Sequence, residues 1–184
     1  MMQIIEKKFR SFILTGITNE QVRRPTNFSG VEKRSKINPN QVVNSAGRRN
    51  FCINLTPEVA QELLNYGCDV KYTRPRDEND TPTPFVQINL SYMFRAPEVH
   101  EIANGVDNVL DEAHVGELDR VEFGNLELML EIGNEKLHND GTKYRPLFAN
   151  LIWAEIVPNY FQTKLANLKG PFPSDDETPF DVEE

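Results

Sequence analysis

The chain has 184 residues, 39% of them hydrophobic and 26% charged, with a net charge of −8, which suits one globular domain with a real core plus loops or a tail. No apolar run approaches the ~20 residues that span a bilayer, and the start, Met1-Met2-Gln3-Ile4-Ile5-Glu6-Lys7-Lys8, lacks the apolar stretch of a signal peptide, so a cytoplasmic protein is expected. Two cysteines, Cys52 and Cys68, are too few for a disulfide scaffold, and no close pair suggests zinc.

Alternation of apolar and polar residues dominates the pattern. A first strand is expected over Ile4–Leu14, with Ile5, Phe9 and Ile13 on one face and Lys8, Arg10 and Phe12 on the other. Residues 16–47 then read as a long polar, basic connection carrying Arg23, Arg24, Phe28, Lys33, Arg34 and Lys36. Loops of that length in a small domain are usually functional or disordered. Phe51–Leu55 is a short strand with Cys52 expected inside it as a small buried thiol. A helix follows: Thr56 can cap it, Pro57 suits its first position, Gly67 can end it, and Val59, Ala60, Leu63 and Leu64 form its apolar stripe.

Val70–Thr73 is another short strand, followed by an exposed loop from Arg74 to Pro84. Phe85–Phe94 alternates clearly, with Val86, Ile88, Leu90 and Tyr92 on one face. A short helix around Glu112–Asp119 precedes a strand at Leu126–Ile132, and Leu147–Val157, apolar on both faces, reads as a well-covered core strand. Beyond it, residues 169–184 are expected to form a disordered acidic tail. Five or six short strands, one firm helix and long loops predict a mainly β chain, an OB-like small β-barrel over residues 1–157 followed by a flexible acidic tail over 158–184.

Enzyme signatures are missing from the sequence. It contains no phosphate loop, no H-E-x-x-H and no G-x-S-x-G, and His100, His114 and His138 have no metal-ligand spacing. No cofactor or metal is expected. Charge, by contrast, is unevenly spread: residues 1–50 hold ten Lys/Arg against three Asp/Glu, or +7, whereas residues 51–100, 101–150 and 151–184 carry −3, −7 and −5. A basic quarter in an acidic chain points to a localised anion site.

Basic and aromatic residues interleave at Lys7–Phe12, Arg48–Phe51, Lys71–Arg76 and Tyr92–Arg95. Single-stranded nucleic acid needs this mixture, because cations neutralise phosphates and exposed rings stack on bases of any sequence. The firm helix carries Glu58 and Glu62 and no basic residue, which argues against reading a duplex groove. Lys8, Arg10, Arg48, Arg49, Lys71, Arg74 and Arg76 are therefore expected at phosphates, with Arg23, Arg24, Lys33, Arg34 and Lys36 closing over the strand. Phe12, Phe28, Tyr72 and Tyr92 are the stacking candidates, while Phe9, Phe51 and Phe85 are expected in the core.

The segments Gly47-Arg-Arg-Asn-Phe-Cys-Ile-Asn-Leu55, Val70-Lys-Tyr-Thr-Arg-Pro-Arg76, Pro82-Thr-Pro-Phe-Val-Gln-Ile-Asn-Leu90 and Gly141-Thr-Lys-Tyr-Arg-Pro-Leu-Phe-Ala-Asn-Leu151 stand in an order that resembles the OB-fold single-stranded DNA-binding proteins of tailed bacteriophages. The resemblance spans roughly residues 4–157. It implies a role in phage DNA replication, recombination or repair, with an acidic tail that recruits replication or recombination proteins. The tail residues Asp175, Asp176, Glu177, Pro179 and Phe180 resemble the acidic tip of bacterial single-stranded DNA-binding proteins, except that Asp181-Val-Glu-Glu184 follows the phenylalanine here. An internal docking motif, a DNA mimic and a plain solubilising tail all remain open.

Two other classes of function fit the same residues. A protein-interaction module could present the basic face to an acidic partner. A nuclease could hold magnesium on Asp77, Glu78 and Asp80.

Overall fold

A computed structural model of the chain describes residues 1–158. The chain begins with a hairpin, not a single strand: β1 (Gln3–Ile5) turns at residues 6–10 and pairs antiparallel with β2 (Ser11–Ile17). The turn resets the alternation, so Met2, Ile4, Phe12 and Leu14 enter the core while Phe9 is 92% exposed. The expected burial of Phe9 is thus reversed, and Phe12, at 2% exposure, is a core residue. Lys8 and Arg10 sit in or beside the turn. Within β2, Gly16 lies at φ +73 where the register slips by one residue, and a Cβ there would meet the Met1 carbonyl oxygen at 2.1 Å. Only glycine allows that approach.

After a 3-10 turn (Asn19–Gln21), the expected long loop is mostly ordered structure. It contains β3 (Val22–Asn27) and a small hairpin of β4 (Lys33–Arg34) and β5 (Val42–Asn44). Next come β6 (Arg49–Asn54) and α1 (Pro57–Asn65), where Thr56 Oγ1 accepts a hydrogen bond from Val59 N at 3.3 Å and Pro57 opens the helix. Val59, Ala60 and Leu63 are buried, but Leu64 is exposed. β7 (Lys71–Tyr72) and β8 (Pro84–Leu90) match two expected strands, though β8 stops before Tyr92.

A hairpin of β9 (Glu98–Ala103) and β10 (Val106–Leu110) and a 3-10 helix (Val115–Arg120) follow, the latter where a short helix is expected. The last four strands are β11 (Glu122–Ile132), β12 (Lys136–Leu137), β13 (Lys143–Tyr144) and β14 (Leu147–Val157). Ten strands form one mixed sheet with the path β1-β2-β11-β14-β8-β6-β3, to which β7, β9 and β10 attach. The fold is mainly β, and among the described residues the sheet does not close by pairing its end strands.

β14 joins the two halves. It runs antiparallel to β11 along its length, parallel to β8 at Leu147–Phe148, and parallel to β9 at Leu151–Glu155. A register slip at Met129–Leu130 changes which side chains of β14 face inward, from Leu147 and Ala149 to Ile152 and Ala154. That slip explains why its sequence reads apolar on both faces. The inner faces of β2, β6, β8, β11 and β14 and one side of α1 bury a single core, the main source of stability in a sheet of this kind.

Candidate nucleic-acid interface

The outward face of the sheet follows from the alternation. With Phe51, Ile53, Val86 and Ile88 directed into the core, Asn50, Cys52, Asn54, Phe85, Gln87 and Asn89 must point the other way. The register places Asn27 beside Asn50, Asn50 beside Asn89 and Asn89 beside Phe148, a row across β3, β6, β8 and β14. This row floors a cleft of about 880 Å³. Its walls are the β4–β5 hairpin, through Lys33, Val43 and Asn44, and the β12–β13 hairpin, through Lys136, His138 and Tyr144.

Six cationic residues line the cleft (Lys33, Arg48, Arg49, Lys71, Lys136 and Arg145) against two acidic ones, Asp69 and Glu112. In a chain of net charge −8, that concentrates positive potential in one concavity. Tyr92, Phe94, Tyr144 and Phe148 supply aromatic surface. Phe94, 94% exposed, and Met93 follow the end of β8. Tyr144 stacks on the His138 ring at a centroid distance of 4.0 Å, and His138 Nε2 donates to Asp69 Oδ1 at 3.0 Å. Phe148 leans over Gly133, where a Cβ would come within 2.9 Å of its ring.

Not every cation in the cleft is available. Arg49 Nη1 donates to the Phe28 carbonyl at 2.7 Å, Nη2 lies 3.8 Å from Glu112, and the guanidinium sits 5.4 Å from the Tyr92 ring centroid. Arg49 therefore braces the wall of the cleft. Burial raises the Tyr92 phenol above its usual pKa, against the opposing pull of the Arg49 charge. Arg145 is partly committed, donating to the Gly133 carbonyl at 3.1 Å. Burial also raises both thiols, Cys68 to about 12; Cys52 is only half-buried.

Of the residues expected at the interface, Lys33, Arg48, Arg49, Lys71 and Tyr92 come together here. Phe12 and Phe28 do not stack on a ligand. Phe28 is 0% exposed and packs on Phe51 with centroids 4.7 Å apart. It is drawn inward because Asp119 accepts hydrogen bonds from Phe28 N, Ser29 N, Ser29 Oγ and Thr26 Oγ1 at 2.7, 3.0, 2.7 and 2.7 Å.

The remaining candidates lie outside the cleft. Arg23 continues the same sheet face, 4.3 Å over the ring of a half-buried Phe85, and donates to Asn54 Oδ1 at 3.1 Å. Arg24 ties β3 to the start of β11, donating to the Val121 carbonyl at 2.6 Å. Arg10 donates to Asn134 Oδ1 at 2.9 Å, and Lys8 is exposed in the β1–β2 turn. Arg34 pairs with Glu32 at 3.0 Å, while Lys36 is exposed near the hairpin tip. Tyr72, Arg74 and Arg76 are exposed at β7 and in the loop after it.

Asp77 and Asp80 accept backbone N–H groups of their own loop, from Asn79 at 2.8 Å and Arg76 at 2.9 Å. Among the described residues no group of three or more His, Cys, Asp or Glu is placed to hold a metal ion, and no helix is long and apolar enough to cross a membrane. The tail candidates Asp175, Asp176, Glu177, Pro179 and Phe180 lie outside the described residues.

The expectation missed one wall of the cleft, with Lys136, His138 and Tyr144, and the adjoining Arg145 and Phe148. Its signal was present in Lys143-Tyr144-Arg145, which interleaves charge and ring just as Lys71-Tyr72 does.

A family model described as "Putative phage ssDNA-binding domain" matches residues 20–145. No curated protein and no solved structure matches the chain.

Proposed function

Because the chain belongs to the phage single-stranded-DNA-binding domain family, we propose that it coats single-stranded DNA without strong sequence preference during phage DNA replication, recombination or repair. The observation that carries this reading is the cleft, where cations outnumber acids six to two and four aromatic residues share the lining. Lys33, Arg48, Lys71, Lys136 and Arg145 contact phosphates, and Phe94, Tyr144 and Phe148 offer faces to bases. Lys8, Arg10, Arg23, Lys36, Arg74 and Arg76 extend the electrostatic field around it. The protein acts by binding, with no catalytic step and no cofactor, in the host cytoplasm. Residues 1–157 form the DNA-binding unit.

Titration of single strands and duplex of one sequence, at several salt concentrations, tests the reading. Single strands are expected to bind more tightly, because α1, the α-helix among the described residues, carries Glu58 and Glu62 and no basic residue to meet a duplex groove. Five phosphate contacts give a slope of log affinity against log salt of roughly −3.5, at ~0.7 per contact. Arg48→Ala is expected to flatten that slope by ~0.7, and Arg49→Ala to lower stability instead. Equal or tighter binding of duplex would remove the sheet-face interface from consideration.

The acidic residues from Asp175 to Glu184 recruit replication or recombination proteins and compete with DNA for the basic cleft. A tethered polyanion acts at an effective concentration that can reach ~mM, and screening weakens it as salt rises. Truncation after Gly170 is expected to raise DNA affinity severalfold at low salt, with the gain vanishing at high salt. It also removes recruitment of any partner that reads Pro179-Phe180. Unchanged affinity together with unchanged partner binding would leave the segment only a solubilising role.

A further inference from the structure

Two hydrogen-bonded amide chains lie along the floor and one wall of the cleft, their direction set by backbone carbonyls. Asn44 Nδ2 lies 3.0, 3.2 and 3.1 Å from the carbonyl oxygens of Val31, Ser45 and Arg48. A carbonyl can only accept, so the amino group of Asn44 must point there and its Oδ1 must point away. That oxygen accepts from Asn50 Nδ2 at 3.0 Å. The second chain has the same polarity: Asn89 Nδ2 donates to the Leu147 carbonyl at 3.1 Å, and Asn89 Oδ1 accepts from Gln87 Nε2 at 2.9 Å.

Both chains therefore end on an outer amide with one of its two N–H groups engaged toward the protein, which fixes the side on which its oxygen lies. Among the described residues, neither Asn50 Oδ1 nor Gln87 Oε1 accepts a hydrogen bond. The two residues sit on the same face of adjacent strands, two register positions apart, since Asn50 faces Asn89 and Cys52 faces Gln87. Both line the cleft.

We infer that Asn50 and Gln87 read base edges and bias the cleft toward bases bearing an exocyclic amino group, cytosine over thymine or uracil. This rests on the proposed DNA-binding role of the same cleft. At ring position 4, cytosine presents an amino donor where thymine and uracil present a carbonyl acceptor. A fixed protein acceptor gains a hydrogen bond from the first. Against the second it meets a like partner and loses its water without replacement. Freely rotating amides would not discriminate, because either end could turn to the base. Here the backbone carbonyls beneath Asn44 and Asn89 prevent that exchange, so Asn44 and Asn89 are positioning residues and Asn50 and Gln87 the contacting ones.

The experiment compares deoxycytidine with deoxyuridine oligonucleotides of equal length, by fluorescence anisotropy with the full chain above neutral pH. The pair differs at the hydrogen-bonding edge and not by a methyl group. The wild-type protein is expected to favour the cytosine strand about fivefold, the order of one net hydrogen bond. Gln87→Met, which keeps length and removes both polar ends, is expected to bring the ratio toward one, by weakening the cytosine strand and relieving the uracil strand. Asn89→Leu frees the Gln87 amide to turn and is expected to reduce the ratio as well. Melting curves confirm that each variant folds, and the wild-type comparison needs no variant at all.

Equal affinities in the wild type, a preference for uracil, or a cytosine preference that survives Gln87→Met and Asn50→Leu together would each overturn the inference while leaving DNA binding intact. Failure to bind either strand would overturn it together with the functional reading on which it stands.

Discussion

Asp119→Ala is expected to lower the unfolding free energy by about 3 kcal/mol, although the side chain lies outside the cleft. Its carboxylate gathers four donors from residues 26–29, two of them backbone N–H groups. Hydrogen bonds to a charged acceptor contribute ~1.5–3 kcal/mol each, and donors left unpaired cost about 1–3 kcal/mol where water cannot reach them. Water can reach Ser29, which is exposed, so the sum falls well short of four full bonds.

For a domain of this size the loss corresponds to a drop in melting temperature on the order of 10 °C. Asp119→Asn keeps one acceptor and is expected to restore part of the loss. Calorimetry or urea unfolding checks both variants, and a change under about 1 kcal/mol for alanine would mean that the end of β3 is held by packing alone. A secondary effect follows from the chain of contacts. Phe28 supplies the carbonyl that holds Arg49, and Arg49 braces Tyr92, so DNA affinity is expected to fall modestly as well.

The second large effect belongs to the rings. Replacing Tyr144 and Phe148 together by leucine is expected to weaken single-stranded DNA binding about a hundredfold, since base stacking contributes ~1–3 kcal/mol per ring and ~1.4 kcal/mol is a factor of ten. Leucine keeps apolar volume beside Gly133 and His138, so the fold should persist. The salt slope is expected to stay near its wild-type value, because no phosphate contact has been removed. That separates ring loss from charge loss: Lys71→Ala or Arg48→Ala flattens the slope with a smaller drop in affinity. Titrations at three or more salt concentrations measure both quantities, and a double variant that binds as well as wild type would place the bases elsewhere.

Elements with local determinants were legible in the sequence. The helix was readable because Thr56, Pro57 and Gly67 mark its ends within about a dozen residues of chain. β8 and β11 were readable because each keeps one apolar face. β3 was not, since Val22-Arg-Arg-Pro-Thr-Asn27 has neither alternation nor β-branched density. It is a strand because β6 pairs with it and Asp119, some ninety residues further on, holds its end. Phe12 was misplaced because the turn at residues 6–10 resets a period that looked continuous.

The lining of the cleft was half legible for a related reason. Interleaved charge and aromatics found Arg48, Lys71 and Tyr92, but the pattern cannot distinguish Arg48, which is exposed, from Arg49, which turns inward to Phe28 and Glu112. Which of two adjacent arginines faces a ligand depends on strand parity, and parity depends on partners distant in sequence.

The position of β14 in the sheet bears on how the protein comes into being at the ribosome. It lies between β11 on one side and β8 and β9 on the other, and it is the last strand of the described chain to be synthesised. Until residues 147–157 emerge, β11 and the β8–β6–β3 group have no strand between them, and their inner faces lack Leu147, Ala149, Ile152 and Ala154 as a shared partner. Phe148 and the hairpin just before it, which complete the cleft, also arrive at that moment. A nascent chain therefore cannot hold DNA in a half-built cleft, and it carries exposed apolar strands until β14 emerges. Its yield in a crowded cell depends on how quickly that final strand is inserted, a step slowed by the long sequence separations it must close.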